Sequence, residues 1–139
     1  MKLTIYKITF NDGECYYTDS RENLVEAVNE KNKNTENYKP YKLGTINGII
    51  YNKNKIMRGC KEIEKFNAMD YYKDYLDIYI NNMIESGTKQ NKSYTDSTIK
   101  RFKYQFIQLL NAIELTARND GEDDAFIKHK INAIGLISV

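Results

Sequence analysis

The stretch Leu3-Thr4-Ile5-Tyr6-Lys7-Ile8-Thr9-Phe10-Asn11-Asp12-Gly13-Glu14-Cys15-Tyr16-Tyr17-Thr18 decides the first half of the fold. Thr4, Tyr6, Ile8 and Phe10 fall on one face of an extended chain, and Leu3, Ile5, Lys7 and Thr9 on the other, which is the two-residue period of a strand. Asp12-Gly13 supplies the positive φ angles of a tight reversal, so residues 14–18 return as a second strand. Asp19 or Ser20 then stands where a side chain can accept from the free amides of a helix, with Glu22 close behind. Leu24, Ala27 and Val28 follow at helical spacing and make that helix a short one. It gives way to a polar loop over residues 29–37, closed by the only proline, Pro40.

Beyond this point the pattern stays extended and then changes period. Over residues 41–57, Leu43, Thr45, Ile46, Ile49, Ile50 and Tyr51 read as strand formers. Asn47-Gly48 and Asn52-Lys53-Asn54 are two candidate reversals, and either one makes a second hairpin. About four antiparallel strands with a short helix thus occupy residues 1–58, the sheet-forming half. In the helical half, residues 59–139, Ile63, Phe66, Met69, Tyr72, Leu76, Tyr79 or Ile80, and Met83 recur at spacings of three and four. With Gly87 as the stop, they predict one long amphipathic helix of about 25 residues. Thr95 or Asp96 caps a second helix carrying Ile99, Phe102, Phe106, Leu109 or Leu110, Ile113 and Ala117, broken at Asn119-Asp120-Gly121. A last helix starts at Glu122, where three carboxylates meet the positive end of the helix dipole. The apolar residues 135–139 read as docked, within the chain or across a subunit boundary. The whole is an α+β fold in one domain, 1–139, with three C-terminal helices, one of them long.

Composition sets the function classes. A chain of 139 residues, 41% hydrophobic and 29% charged, with seven glycines and one proline, is neither collagen-like, low-complexity nor disordered. No run approaches the roughly 18 to 20 apolar residues of a membrane span, and no apolar signal block opens the chain, so a cytoplasmic protein of a bacterial host is expected. Lysine, asparagine, isoleucine and tyrosine, all with AT-rich codons, are abundant, as an AT-rich phage or plasmid genome would make them. Net charge is only +2, and no segment carries the basic footprint of a duplex binder. Cys15 and Cys60 form no paired motif and read as reduced packing thiols. His129 has no second histidine or orienting partner and reads as a surface residue. Gly-rich phosphate loops are absent. In the acidic run 120–124, with Gly121 in the glycine slot of a calcium loop, Arg118 and Ile127 occupy ligand positions, so helix capping accounts for the acids. No catalytic residue, metal or cofactor is therefore assigned.

The binding features that remain are aromatic and arginine side chains. Tyr71, Tyr75 and Tyr79 recur every four residues and either widen the apolar face of the long helix or form a partner or base-stacking surface. Where AT pressure favours lysine, the few arginines mark candidate phosphate or carboxylate contacts: Arg58, Arg101 and Arg118, the last also suited to a helix C-terminus. Ile5-Tyr6, Tyr16-Tyr17 and Arg21 resemble the opening of the GIY-YIG nuclease family, in which paired tyrosines, an arginine and a later glutamate hold a metal against the scissile phosphate. Thr4 and Thr18 stand where that family has glycine, and only Glu62 or Glu64 could be matched to its glutamate. An N-terminal sheet hairpin followed by long C-terminal helices is similar in layout to the Thoeris anti-defence type 1 proteins, phage proteins that sequester a cyclic ADP-ribose signal between subunits. That resemblance implies a homo-oligomer with a small nucleotide ligand, Phe102 or Phe106 stacking on the base and Arg101 and Arg118 meeting the phosphates. The expected function is a non-catalytic phage or mobile-element protein that counteracts a bacterial defence system. The alternatives are a protein-contact inhibitor of a nuclease complex, of the anti-CRISPR kind, and a degenerate nuclease in which Tyr6, Tyr17 and Arg21 converge.

Overall fold

The computed structural model describes residues 3–51 and 58–135. They form two compact units that meet in sequence between Phe66 and Asn67.

The first unit is α+β. Strands β1 (Thr4–Phe10) and β2 (Cys15–Thr18) make the expected antiparallel hairpin, with Tyr6 opposite Thr18, Lys7 opposite Tyr17 and Ile8 opposite Tyr16. Phe10 N donates to Glu14 O at 2.8 Å, so Asn11 to Gly13 form the turn, with Gly13 at φ +90° where a side chain would be strained. Helix α1 (Arg21–Asn32) starts on Ser20, whose side chain accepts from Asn23 N. It runs into the polar stretch expected to be a loop, because Asn32, buried at its end, bonds the carbonyls of Val28 and Arg58. Helix α2 (Leu43–Tyr51) replaces the expected second hairpin. Ile46 and Ile50, four apart, are both buried, so packing of a helical stripe outweighs the β propensity of the segment, and Asn47-Gly48 lies inside the helix. The other candidate reversal, Asn52-Lys53-Asn54, lies outside the described residues.

Strand β3 (Cys60–Asn67) occupies the place where the long helix was expected to begin, and among the described residues the sheet has three strands in the order β2-β1-β3, not the expected four. Asn11 N donates to Gly59 O at 2.8 Å, and further along Lys7 lies 3.9 Å from Glu64, so β3 runs antiparallel to β1. Cys60 and Ile63, three apart, both join one core cluster with Tyr6, Ile8, Phe10, Leu24, Val28, Ile46 and Ile50. Ile63 and Phe66, three apart within β3, continue the spacing of Met69, Tyr72 and Leu76, which is why the sequence reads as helix from residue 63.

The second unit is helical: α3 (Ala68–Tyr71), α4 (Lys73–Lys89), α5 (Asp96–Asn119) and α6 (Asp124–Ala133). The long helix is thus broken at Tyr72 and starts later, on Asn67, whose side chain accepts from Met69 N and Asp70 N. Gly87 lies within α4 rather than ending it, and Tyr94 packs on it: a Cβ there would stand 2.5 Å from the Tyr94 ring. Thr95 caps α5 as its sequence position suggests, whereas α6 begins at Asp124, later than the expected Glu122, with Asp123 as its cap rather than in its first turn. Buried Tyr72, Leu76, Ile80, Phe106, Ile107, Leu110, Ile127 and Ile131 are the main apolar residues of this unit. Among the described residues no helix is long and apolar enough to cross a membrane.

Both cysteines are free, but they are not alike: Cys15 is exposed beside the hairpin turn, while Cys60 is buried and burial pushes its thiol up to about 11. A disulfide-exchange reagent at pH 8 is expected to titrate one thiol at once and the second only on unfolding. Two fast thiols in the native protein would contradict the burial of Cys60.

Candidate functional site

Tyr6, Asn47 and Tyr51, with Arg21 and Lys65, form the most developed polar cluster of the sheet unit. Four elements supply its five side chains. Tyr6 lies in β1 on the helix-covered face and is buried; Arg21 opens α1; Asn47 and Tyr51 come from α2; Lys65 comes from β3. Arg21 Nε donates to Tyr6 Oη at 2.7 Å and Nη1 to Asn47 Oδ1 at 2.8 Å, so the guanidinium is held on two neutral oxygens. Its carbon lies 5.7 Å from the Tyr6 ring centre and 5.6 Å from that of Tyr51, and Lys65 Nζ lies 5.4 Å from the same Tyr51 ring. Tyr51 is 74% exposed, so two cations are gathered on one open aromatic ring.

The electrostatics follow from what is missing around them. Among the described residues, neither Arg21 nor Lys65 forms an ion pair with a carboxylate. Hydrogen bonds to Tyr6 and then to Tyr51 hold the Arg21 guanidinium above its ordinary, already high pKa. A fixed, planar, uncompensated cation beside an exposed ring suits an anion that also carries a flat group. By contrast, the open hollow lined by Glu26, Ala27, Asn29, Glu30, Lys33 and Tyr38 holds two carboxylates, and Lys33 is already paired with Glu30. It has no comparable charge to offer.

The nuclease-like constellation comes together only in part. Tyr6 and Arg21 meet, and Tyr16 lies on the Tyr6 face opposite Ile8. Tyr17 pairs with Lys7 on the other face, its ring 5.6 Å from Lys7 Nζ, and Glu64 lies there too. The expected convergence of Tyr6, Tyr17 and Arg21 therefore does not occur. Among the described residues, no group of three histidine, cysteine, aspartate or glutamate side chains is placed to hold a metal ion.

The residues singled out in the sequence are dispersed. Arg58 precedes β3, not a helix; it is exposed, with Nη1 donating to Glu36 O at 3.3 Å. Arg101 is exposed on α5 with its carbon 5.6 Å from the Phe102 ring centre, and Phe102 stands edge-on to Tyr94 at 6.4 Å. Phe106 is 2% exposed and stacked on Tyr79 at 4.2 Å, so it is core. Arg118 bridges Glu114 at 3.4 Å and Asp124 at 2.6 Å. Seventeen residues of helix separate Arg101 from Arg118, about 25 Å, too far for one small ligand within a chain. Tyr71 donates to Glu114 Oε1 at 2.9 Å, Tyr79 lies on Phe106, and burial raises the hydroxyl pKa of the half-buried Tyr75, which lies near Glu114 and Arg118. Tyr71 and Tyr79 thus make contacts within the helical unit itself. Exposed His129 is where the sequence placed it, on the surface of α6.

Lys65, Tyr51 and Asn47 stand on β3 and α2, where the sequence pattern instead predicts a helix and a hairpin, so the pattern does not bring them together. Arg21 and Tyr6 were legible through the paired-tyrosine hairpin. No protein-family model, no curated protein and no solved structure matches this chain.

Proposed function

We propose that this chain is a non-catalytic binding protein that holds a phosphate-bearing ligand, a nucleotide, on Arg21, Lys65 and Tyr51. The observation that carries the reading is the pair of cations gathered at 5.6 and 5.4 Å on one exposed tyrosine ring, without a carboxylate partner among the described residues. Arginine and lysine would meet the phosphates and the ring the base. Among the described residues, the cluster contains no carboxylate or imidazole to move a proton, which favours holding a ligand over transforming it. A small protein of AT-biased composition, sequestering a signalling nucleotide in the bacterial cytoplasm, suits a phage or mobile element that counteracts a host defence. Self-association would give such a sponge more than one site. Ile84, Leu109 and Phe126, large apolar side chains left more than a third exposed, offer area for it.

Isothermal titration with ADP-ribose, a cyclic dinucleotide and adenosine tests the reading. The phosphorylated ligands are expected to bind and adenosine not, with Arg21→Ala and Lys65→Ala each weakening binding at least tenfold. Absence of heat with every phosphorylated ligand, or variants that bind as well as the parent, would overturn it.

A second reading, a degenerate GIY-YIG-like nuclease domain, is favoured by the same 2.7 Å bond between Arg21 and Tyr6. In it the arginine keeps its phosphate grip, while Tyr17 and Glu64 lie on the far face of the sheet. Plasmid nicking in magnesium or manganese that is lost in Arg21→Ala would select this reading over sequestration. A contact inhibitor of a nuclease complex would instead be unaffected by either substitution in the cluster.

A further inference from the structure

We propose that the first ten residues of α5, with the loop leading into them, form a docking surface for single-stranded nucleic acid, separate from the Arg21 cluster. Between Asp96 and Gln105 no side chain is buried, whereas all seven buried residues of α5 lie between Phe106 and Ala117. About 15 Å of helix thus extends past the part that fills a core. A partner gives that extension a purpose.

Its chemistry selects the partner. Residues 88–104 hold five cations, Lys89, Lys92, Lys100, Arg101 and Lys103, against one carboxylate, Asp96. Lys89 pairs with Glu85 at 3.6 Å, while the other four cations make no ion pair with a carboxylate among the described residues. Aromatic rings are interleaved with them: Lys100 Nζ lies 5.6 Å from the Tyr104 ring centre, and Arg101 stands equally far from Phe102. Tyr94 closes the group edge-on to Phe102 and is itself pinned against Gly87, so the loop is held to α4. Cations alternating with half-buried rings are how proteins grip a single strand, the phosphates meeting charge and the bases meeting π surface. An acidic polypeptide would use the charges and leave the rings idle. A duplex would expose few base faces to them.

Fluorescence anisotropy of the full chain with a labelled 20-nucleotide oligo-dT, and separately with labelled polyglutamate, decides the matter. The oligonucleotide is expected to bind at 50 mM salt, with log K falling against log[salt] at a slope of about −3 if each of the four cations neutralises a phosphate. Lys100→Glu with Arg101→Glu, both exposed positions, should weaken binding at least tenfold and flatten that slope, and Tyr104→Ala should weaken it with the slope unchanged. Arg21→Ala should bind the oligonucleotide like the parent even if it has lost its nucleotide. No binding at 50 mM salt, equal binding of polyglutamate, or a double charge reversal without effect would overturn the proposal.

Discussion

Replacing Arg118 with alanine is expected to cost about 2 to 3 kcal/mol of stability, measured as a lowered urea midpoint at pH 7. Glu114 is only 5% exposed, and its Oε1 accepts from Tyr71 at 2.9 Å and from Arg118 Nε at 3.4 Å. Removing the arginine leaves a buried carboxylate with a single neutral donor among these partners, which is the expensive half of breaking a buried pair. The arginine stays partly open to solvent, so the cost falls below that of a fully enclosed pair. Burial works against its charge, but the hydrogen bond to Asp124 and the charges of Glu114 and Asp124 outweigh it, and its pKa rises above the usual value. A raised folded-state pKa means that the stabilisation is fully present below the already high unfolded value and is lost only in stronger base. Neutral and mildly alkaline solutions should therefore show the same deficit. The double replacement Arg118→Met with Glu114→Leu should recover most of the loss, because the desolvated charge goes with its partner. A single-variant cost under 1 kcal/mol would mean that Glu114 is not dependent on this arginine.

The same residue shows where sequence reading stops. Arg118 was legible as an arginine at a helix C-terminus, and Glu114, four residues earlier on the same face, was there to be read as its partner. Tyr71, forty-three residues from Glu114, was not, since only folding brings the two together. The hairpin was legible because alternation and Asp12-Gly13 agree at every level, and Ser20 and Thr95 are caps by local chemistry alone. α2 was not. Its isoleucines are strand formers by propensity, and only the burial of Ile46 and Ile50 on one stripe makes the segment a helix. β3 was hidden because Ile63 and Phe66, both inside it, are three apart and continue the spacing of Met69, Tyr72 and Leu76 beyond it. Tyr51 and Lys65 stand on these two elements, so only folding brings them to Arg21.

That cluster depends on how α1 is seated, which makes Leu24→Ala the most informative change in the sheet unit. Leu24 is 0% exposed and shares one cluster with Tyr6, Ile8 and Phe10 of β1, Val28 of α1 and Ile46 and Ile50 of α2. Truncation removes three carbons from the place where both helices meet the sheet and leaves a cavity whose lining cannot close without moving an element. The expected cost is about 3 kcal/mol, against a total of roughly 5 to 15 kcal/mol for an ordinary domain. A unit of some 65 residues has little surface burial in reserve, so the loss should be large enough to broaden or split the unfolding transition. Leu24→Met, which keeps the volume, should cost under about 1.5 kcal/mol. The consequence for binding follows from position: Arg21 lies one turn before Leu24, and its two hydrogen bonds require α1 to lie where Tyr6 and Asn47 can accept them. Leu24→Ala should therefore weaken the phosphorylated ligand along with stability, and Leu24→Met should spare both. If Leu24→Ala lowers the unfolding midpoint yet binds ligand like the parent, the Arg21 cluster does not owe its geometry to this core, and the platform on Tyr51 must be held by α2 alone.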